Sequence, residues 1–286
     1  MTTSDVRHQV MEIYGLDISE TTVSNITERI MESAKEWQQR TLEPVYFAMW
    51  MDGINLKIRT DNKVINKCVY VVIGLRPDGI KEVLGFWIDK TESAAFWMSV
   101  LTDLKARGVQ DILIACTDNL KGFTQAIKAV FPEAITQLCI VHQIRNSCKF
   151  VVHKDRVEFC KDLKTVYTAI NKEIALEEFE KFKLKWYKKY KYAITSWETN
   201  WDNLTNYFEY PLELRKIIYT TNTIENLNRG IRKYTKTKTQ FPNENAASKS
   251  VYLAIKNIEM AWTRPIKHWP IILNQFLIIF ADRCRL

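Results

Sequence analysis

The sequence predicts an α/β protein built on a mixed sheet, and three observations carry that expectation. Three strand-type runs follow one another between residues 45 and 89. Strands then alternate with helical stretches up to about residue 149, in the order β-β-β-α-β-α-β-α. After about residue 150 the strand signal disappears. Consecutive strands joined by short turns build an antiparallel side. The alternation that follows requires crossover helices and so a parallel side.

The first forty residues read as two short helices. Val6, Val10 and Ile13 lie at spacings of four and three, Gly15 breaks the pattern, and Ser19 is placed to cap a second helix carrying Val23, Ile26 and Ile30. Such a pair resembles a helix-turn-helix, and DNA contact and a merely solvated second helix are both open readings. "VYFAMWMDGINLKIR", "KCVYVVIGL" and "KEVLGFWID" are the three strands, separated by turn-like "TDNK" and "RPDG". "ESAAFWMSVLTDLKARG" reads as an amphipathic helix ending at Gly108. "DILIACTD" is a continuous apolar strand, as expected when both faces are covered. "KGFTQAIKAVFP" is a helix, "ITQLCIVH" a short strand, and "QIRNSCKFVV" opens another helix. Residues 150–218, rich in Lys, Glu and aromatics, form a helical insertion with Pro211 near its boundary, and 219–286 are helical again. The expected organisation is therefore a helical segment at 1–40, a first part of the core at 41–149, the insertion at 150–218, and closing helices at 219–286.

Composition narrows the function. Lys and Arg number 41 against 33 Asp and Glu, a net charge of +8 and a pI near 9.0, which suits a polyanionic partner. The six cysteines include no CxxC pair and several lie in apolar runs, so a reducing compartment with buried thiols is expected, not a disulfide framework. The polar start "MTTSDVRHQV" is not a signal peptide. "WPIILNQFLIIFADR", the nearest candidate for a membrane span, is too short and reads as a core helix. Neither GxGxxG nor GxxxxGK occurs, which excludes the common phosphate loops.

Three acids stand out. Asp52 falls inside the first strand, Asp118 ends the strand "DILIACTD", and Glu225 starts a helix. Charged groups are seldom placed in strands unless paired or bound to metal. If the two strands are neighbours, both aspartates reach one point, and Glu225 can supply a third ligand. That set suits two hard divalent cations in phosphoryl transfer. Each acid also has a structural reading: Asp52 in a "MDG" turn, Asp118 capping the next helix, and Glu225 in a capping box with Asn222 or paired with Arg229. Ile224, Leu227, Ile231 and Tyr234 form the expected buried stripe of the last helix. Arg229, Arg232, Lys233, Lys236 and Lys238 are left outward, available to phosphates. Cys139-x-x-His142 invites a zinc reading, but a second ligand pair at suitable spacing is missing and a structural role is expected instead. Trp186, Trp197 and Trp201 sit among lysines and tyrosines. They suit either base stacking or a helix-bundle core, of which the core is favoured.

"TDNLKGF", "QLCIVHQIRNS", "IYTTNTIENLNRGIRK" and "RPIKHWPIILNQFLIIFADR" resemble the mutator-type bacterial insertion-sequence transposases, in order and spacing along nearly the whole chain. The resemblance implies a DDE transposase with an RNase H-like core, the helical insertion preceding the catalytic Glu. It matches Asp52, Asp118 and Glu225 to the catalytic, metal-binding acids, with Mg²⁺ as cofactor and Mn²⁺ as its substitute; zinc is not expected. It matches Cys139 and His142 to a Cys-x-x-His element, and Trp197 to an aromatic position that meets DNA. His142, Arg145, Arg229, Arg232, Lys233 and Lys236 are the other expected DNA contacts. The implied partners are double-stranded DNA, as terminal inverted repeats and target, and further copies of the chain as a dimer or higher oligomer. No membrane is implied; the protein is expected in the bacterial cytoplasm at the nucleoid. Members of the family usually carry about a hundred more upstream residues with DNA-binding helices. The alternative expectation is therefore a truncated, inactive remnant that only binds DNA.

Overall fold

β1 (Val45–Thr60), β2 (Lys63–Leu75), β3 (Lys81–Asp89), β4 (Asp111–Thr117) and β5 (Ile135–Leu138) form one sheet in the order β3-β2-β1-β4-β5. The computed structural model describes residues 3–89, 93–118, 120, 122–219, 222–236 and 238–284. β1, β2 and β3 pair antiparallel, whereas β1, β4 and β5 run parallel, so the sheet is mixed as expected. "TDNK" makes the β1–β2 turn: Asp61 and Asn62 both have positive φ (49° and 60°), as a two-residue type I′ turn requires. Val, Ile, Tyr and Met dominate the strands and are buried on both faces.

The crossover helices α3 (Ala94–Ala106) and α4 (Phe123–Val130) cover one face. Trp97, Leu101, Phe123 and Ile127 pack there on Met49, Met51, Tyr70 and Ile112. α3 ends at Arg107 and Gly108, whose φ of +110° lets the chain turn back under Leu42. The other face receives α10 (Asn222–Thr235), α11 (Glu244–Glu259) and α12 (Trp269–Phe280), through Ile224, Leu227, Val251, Ile255, Ile272 and Phe276. α12 is 12 residues long and buries one stripe; Ile278 on its other side is 81% exposed. Among the described residues, no helix is long and apolar enough to cross a membrane.

α1 (Thr3–Tyr14) and α2 (Glu20–Gln39) open the chain, and the Ser19 side chain caps α2 by accepting from the Thr22 N–H at 3.0 Å. α2 runs longer than its apolar pattern suggested. Of the expected stripe Val23 is buried, but Ile26 is 51% exposed; Ala34 and Trp37, further along, complete the contact with β3 and α11.

α5 (Ile140–Cys148) follows β5 directly. Then come α6 (His153–Tyr167), α7 (Lys172–Thr199), α8 (Trp201–Thr205), a 3₁₀ turn (Asn206–Glu209) and α9 (Leu212–Ile218), without a strand among them. α7 kinks at Tyr190, whose φ and ψ are −130° and 45°. Phe159, Phe179, Phe182, Trp186 and Tyr190 form the interior between α6 and α7. Lys185, bonded at 2.6 Å to both Glu158 and Asp162, spans the same two helices on the outside.

The "RPDG" turn shows how closely the far end is packed. Gly79 has φ +81°, and a Cβ there would lie 2.4 Å from the Trp269 ring. Gly79→Ala therefore meets both an unfavourable backbone and a clash with α12. We expect a loss of about 2–3 kcal/mol, read as a lowered urea midpoint; an unchanged midpoint would contradict this packing.

Candidate active site

The site begins with strand register. Trp50 of β1 is paired with Cys116 of β4, in parallel. Side chains on a strand alternate faces, so Asp52, two residues after Trp50, points where Trp50 points. Asp118, two residues after Cys116, likewise points where Cys116 points. Trp50 and Cys116 belong to the same buried cluster, so the two aspartates emerge side by side on the face covered by α10. Asp52 is an interior strand residue paired with Val71, which rules out the "MDG" turn. Asp118 follows the last residue of β4 and accepts from the Leu120 N–H at 3.2 Å, an Asx-type turn; Gly122, not Asp118, occupies the N-cap of α4.

Both carboxyls are half-buried. Burial pushes each above the ordinary carboxylate range. The charge of Asp52 raises Asp118 further, while His142 pulls both down. Asp52 is held by two donors: the Gly53 N–H at 2.8 Å on Oδ1 and the Asn228 amide at 2.7 Å on Oδ2.

α5 supplies the cations. Cys139 is its N-cap, and the thiol sulfur accepts from the His142 N–H at 3.4 Å. The Cys-x-x-His element is thus a capping arrangement that fixes the first turn and aims His142 at the acids. Among the described residues, no group of three or more His, Cys, Asp or Glu side chains is placed to hold a metal ion, which applies to Asp52, Asp118 and Glu225 as much as to Cys139 and His142. Hydrogen bonding to Cys139 and the charges of Asp52 and Asp118 lift the imidazole to about 9, against the opposing effect of burial. His142 is therefore a cation at neutral pH. Its Nε2 lies 3.8 Å from Glu225.

α10 brings Glu225, and here the expected partners are corrected. Asn222 is the first residue of the helix, and among the described residues the partners of the Glu225 carboxylate are His142 and Arg145, not Asn222 or Arg229. Instead, Arg145 of α5 grips both carboxylate oxygens of Glu225, at 2.5 and 3.3 Å. Such a bidentate pair is strong and directional. The buried stripe of α10 is Ile224, Leu227, Asn228, Ile231 and Thr235; Tyr234, expected inside, is 44% exposed. A continuous 3.6-residue period places Thr235, not Tyr234, beneath Ile231. Arg229, Arg232, Lys233 and Lys236 are exposed, and among the described residues no carboxylate forms a salt bridge with any of them.

A cleft of about 670 Å³ opens between α5 and α10, lined by Asp52, His142, Arg145, Glu225, Asn228 and Arg232 among others. Asp118 is not among the lining residues, but it lies near enough for the charge of Asp52 to act on it. A second recess of about 500 Å³ continues along Arg229, Arg232, Lys233 and Lys236. Trp197 is corrected: it is 1% exposed, and its indole N–H donates to Ser147 at 2.9 Å, in the core of the helical insertion. A ring so enclosed presents no face to a base. Trp186 is buried as well, its N–H on Asp162 at 2.9 Å.

Two features of the site escaped sequence reasoning. Arg145 was expected to meet DNA but not Glu225, and Asn228 was not singled out at all. The only signal for Asn228 was its place three residues after Glu225, a spacing that sets two side chains on one helix face. Asp52 and Asp118 suit a hard divalent cation: two adjacent carboxylates, each made unfavourable by burial and one by its neighbour, are relieved by positive charge between them. Glu225 does not stand with them in this arrangement, because Arg145 occupies both of its oxygens.

A sequence model of mutator-family transposases matches residues 1–265. A probable transposase for an ISRM3-like insertion sequence of Sinorhizobium fredii is 43% identical over 284 residues, covering 99% of this chain and 71% of its own. The ISRM3 transposase of Rhizobium meliloti is equally similar, 43% over the same shares. A probable insertion-sequence transposase of Corynebacterium diphtheriae is 40% identical over 91% of this chain and 76% of its own. Among solved structures, a chain of a simian T-cell lymphotropic virus intasome complex gives a TM-score of 0.31 at 12% identity over 74% of this chain and 49% of its own, too distant to carry an argument. The extent of the family match, together with relatives at this identity, establishes that the chain belongs to the mutator family of transposases.

Proposed function

We propose that this chain carries out DDE-type transposition chemistry on an RNase H-like core: metal-dependent cleavage of DNA at the ends of an insertion sequence, then strand transfer. The observation that carries the reading is the parallel register of Trp50 with Cys116, which brings Asp52 in β1 and Asp118, just past the end of β4, close enough for the charge of one to act on the other. The basic recess beside them and the net charge of +8 support a polyanionic substrate.

Asp52 and Asp118 would hold divalent metal, with Glu225 joining them. Mg²⁺ or Mn²⁺ bound there supplies activation of the attacking oxygen and stabilisation of the leaving one. In the first step a water oxygen attacks phosphorus, the P–O3′ bond breaks, and a free 3′-hydroxyl leaves. In the second, that hydroxyl attacks another phosphodiester, whose own 3′-oxygen departs. His142, whose imidazole is raised by Cys139 and by the charges of Asp52 and Asp118, offers a hydrogen bond to a phosphate oxygen. Arg145, 57% exposed, is placed to exchange the Glu225 carboxylate for a DNA phosphate, which frees Glu225 for the aspartates. Arg229, Arg232, Lys233 and Lys236 run on as the backbone track.

Three measurements test this. Asp118→Asn should cut cleavage of end-containing DNA in Mg²⁺ or Mn²⁺ by more than about a hundredfold, since even groups that merely support a metal ligand are worth 10–100-fold. Equal cleavage in both forms would remove Asp118 from the chemistry, and binding without cleavage in either would leave a DNA-binding remnant. Without DNA, Mn²⁺ should raise the melting temperature of the wild type and not of Asp118→Asn. Lys233→Ala should weaken binding to all duplexes alike and lower the slope of log K against log salt by about 0.9; an unchanged slope would take Lys233 off the DNA path.

A further inference from the structure

Asn228 is 4% exposed, and its amide makes a 2.7 Å hydrogen bond to Oδ2 of Asp52. A carboxylate can only accept, so the amide must present its nitrogen there. That leaves Oδ1, and this oxygen is buried without a hydrogen-bond partner while the residue lines the cleft. Buried polar atoms are nearly always paired, and one left unpaired is costly. Among the described residues nothing compensates it. The cost is accounted for if the amide is set by what Asp52 must do.

The placement supports this. Asn228 lies three residues after Glu225, on the same face of α10. One helix therefore carries both the third acid and the clamp on the first. With the Gly53 N–H on Oδ1 and Asn228 on Oδ2, both Asp52 oxygens are pinned, each keeping a lone pair for a further partner.

We propose that Asn228 is a positioning residue for the metal-binding aspartate. Its Nδ2 fixes the rotation of the Asp52 carboxylate, and so the direction in which that carboxylate meets a divalent cation. The proposal rests on the metal-dependent reading above. It assigns Asn228 no contact with the reacting phosphorus.

The test is Mn²⁺ binding by the full chain without DNA, followed by the electron paramagnetic resonance of free Mn²⁺ well below the melting temperature. Asn228→Leu, close in size, should bind Mn²⁺ at least about tenfold more weakly. Its cleavage of end-containing DNA should recover toward wild type when Mn²⁺ is raised by the same factor. A purely structural role would lower the melting temperature and leave the affinity of the folded protein alone, so unchanged affinity overturns the proposal. Asn228→Ala repeats the measurement if the leucine variant does not fold, and failure of both to fold would make Asn228 a folding residue and overturn it too. Asp118→Asn is the control. If that variant still binds Mn²⁺ like the wild type, the metal-site reading itself fails. If it loses Mn²⁺ while Asn228→Leu keeps it, only the role of Asn228 is lost.

Discussion

The parallel pairing of β1 with β4 is the constraint on which the rest of the site depends. Trp50 opposite Cys116 sets the two strands in register, and the two-residue period then carries Asp52 and Asp118 to the same level on the same face. A slip of one residue in either strand would turn one carboxylate into the cluster beneath α3 and α4, among Met51, Ala115 and Phe123. The apolar residues around both strands hold the register, so the core and the site are fixed by one set of contacts. β4 also stops at Thr117, one residue before Asp118, which lets that carboxylate leave the sheet where the chain turns.

Charge balance explains the second layer of the site. Asp52 and Asp118 place negative charge where burial disfavours it, and the charge of Glu225 adds to this at Asp52. The protein answers with Arg145 on Glu225, a protonated His142 among the acids, and neutral donors on Asp52. Each comes from α5 or α10 or from the strand itself. The cationic surplus of α10 is directed outward, away from these pairs, where a polyanion can reach it. The same helix thus shows an acid to the sheet and bases to the solvent.

What could be read in the sequence was local. The type I′ turn at Asp61–Asn62, the Ser19 cap and the end of α3 at Gly108 all follow from residues within a few positions of one another. The mixed sheet followed from the order of strands and helices, and the convergence of Asp52 with Asp118 followed from it conditionally. What escaped depends on distance along the chain. Arg145 and Glu225 are 80 residues apart, and Asp52 and Asn228 are 176 apart. No pattern in either neighbourhood names the other. Trp197 was legible as a core residue from its own chemistry; its lysine and tyrosine neighbours and the resemblance both suggested DNA instead. Tyr234 was misplaced because a stripe at spacings of three, four and three drifts off the 3.6-residue period by the third turn.

α10 behaves as a rigid dial. Ile224, Leu227 and Ile231 anchor its angle on the sheet, and Glu225, Asn228 and the arginines take their directions from that angle alone. Each residue advances the helix by about 100°. Removing a single residue between Leu227 and Ile231 would set the two halves of the helix about 100° out of phase, so the acid at its start and the bases at its end could not both keep their directions while the stripe stays buried. Length variation in this family should therefore be absent from within this helix. Surface connections such as residues 168–171, between α6 and α7, are free to vary in length, because no catalytic angle is measured from them.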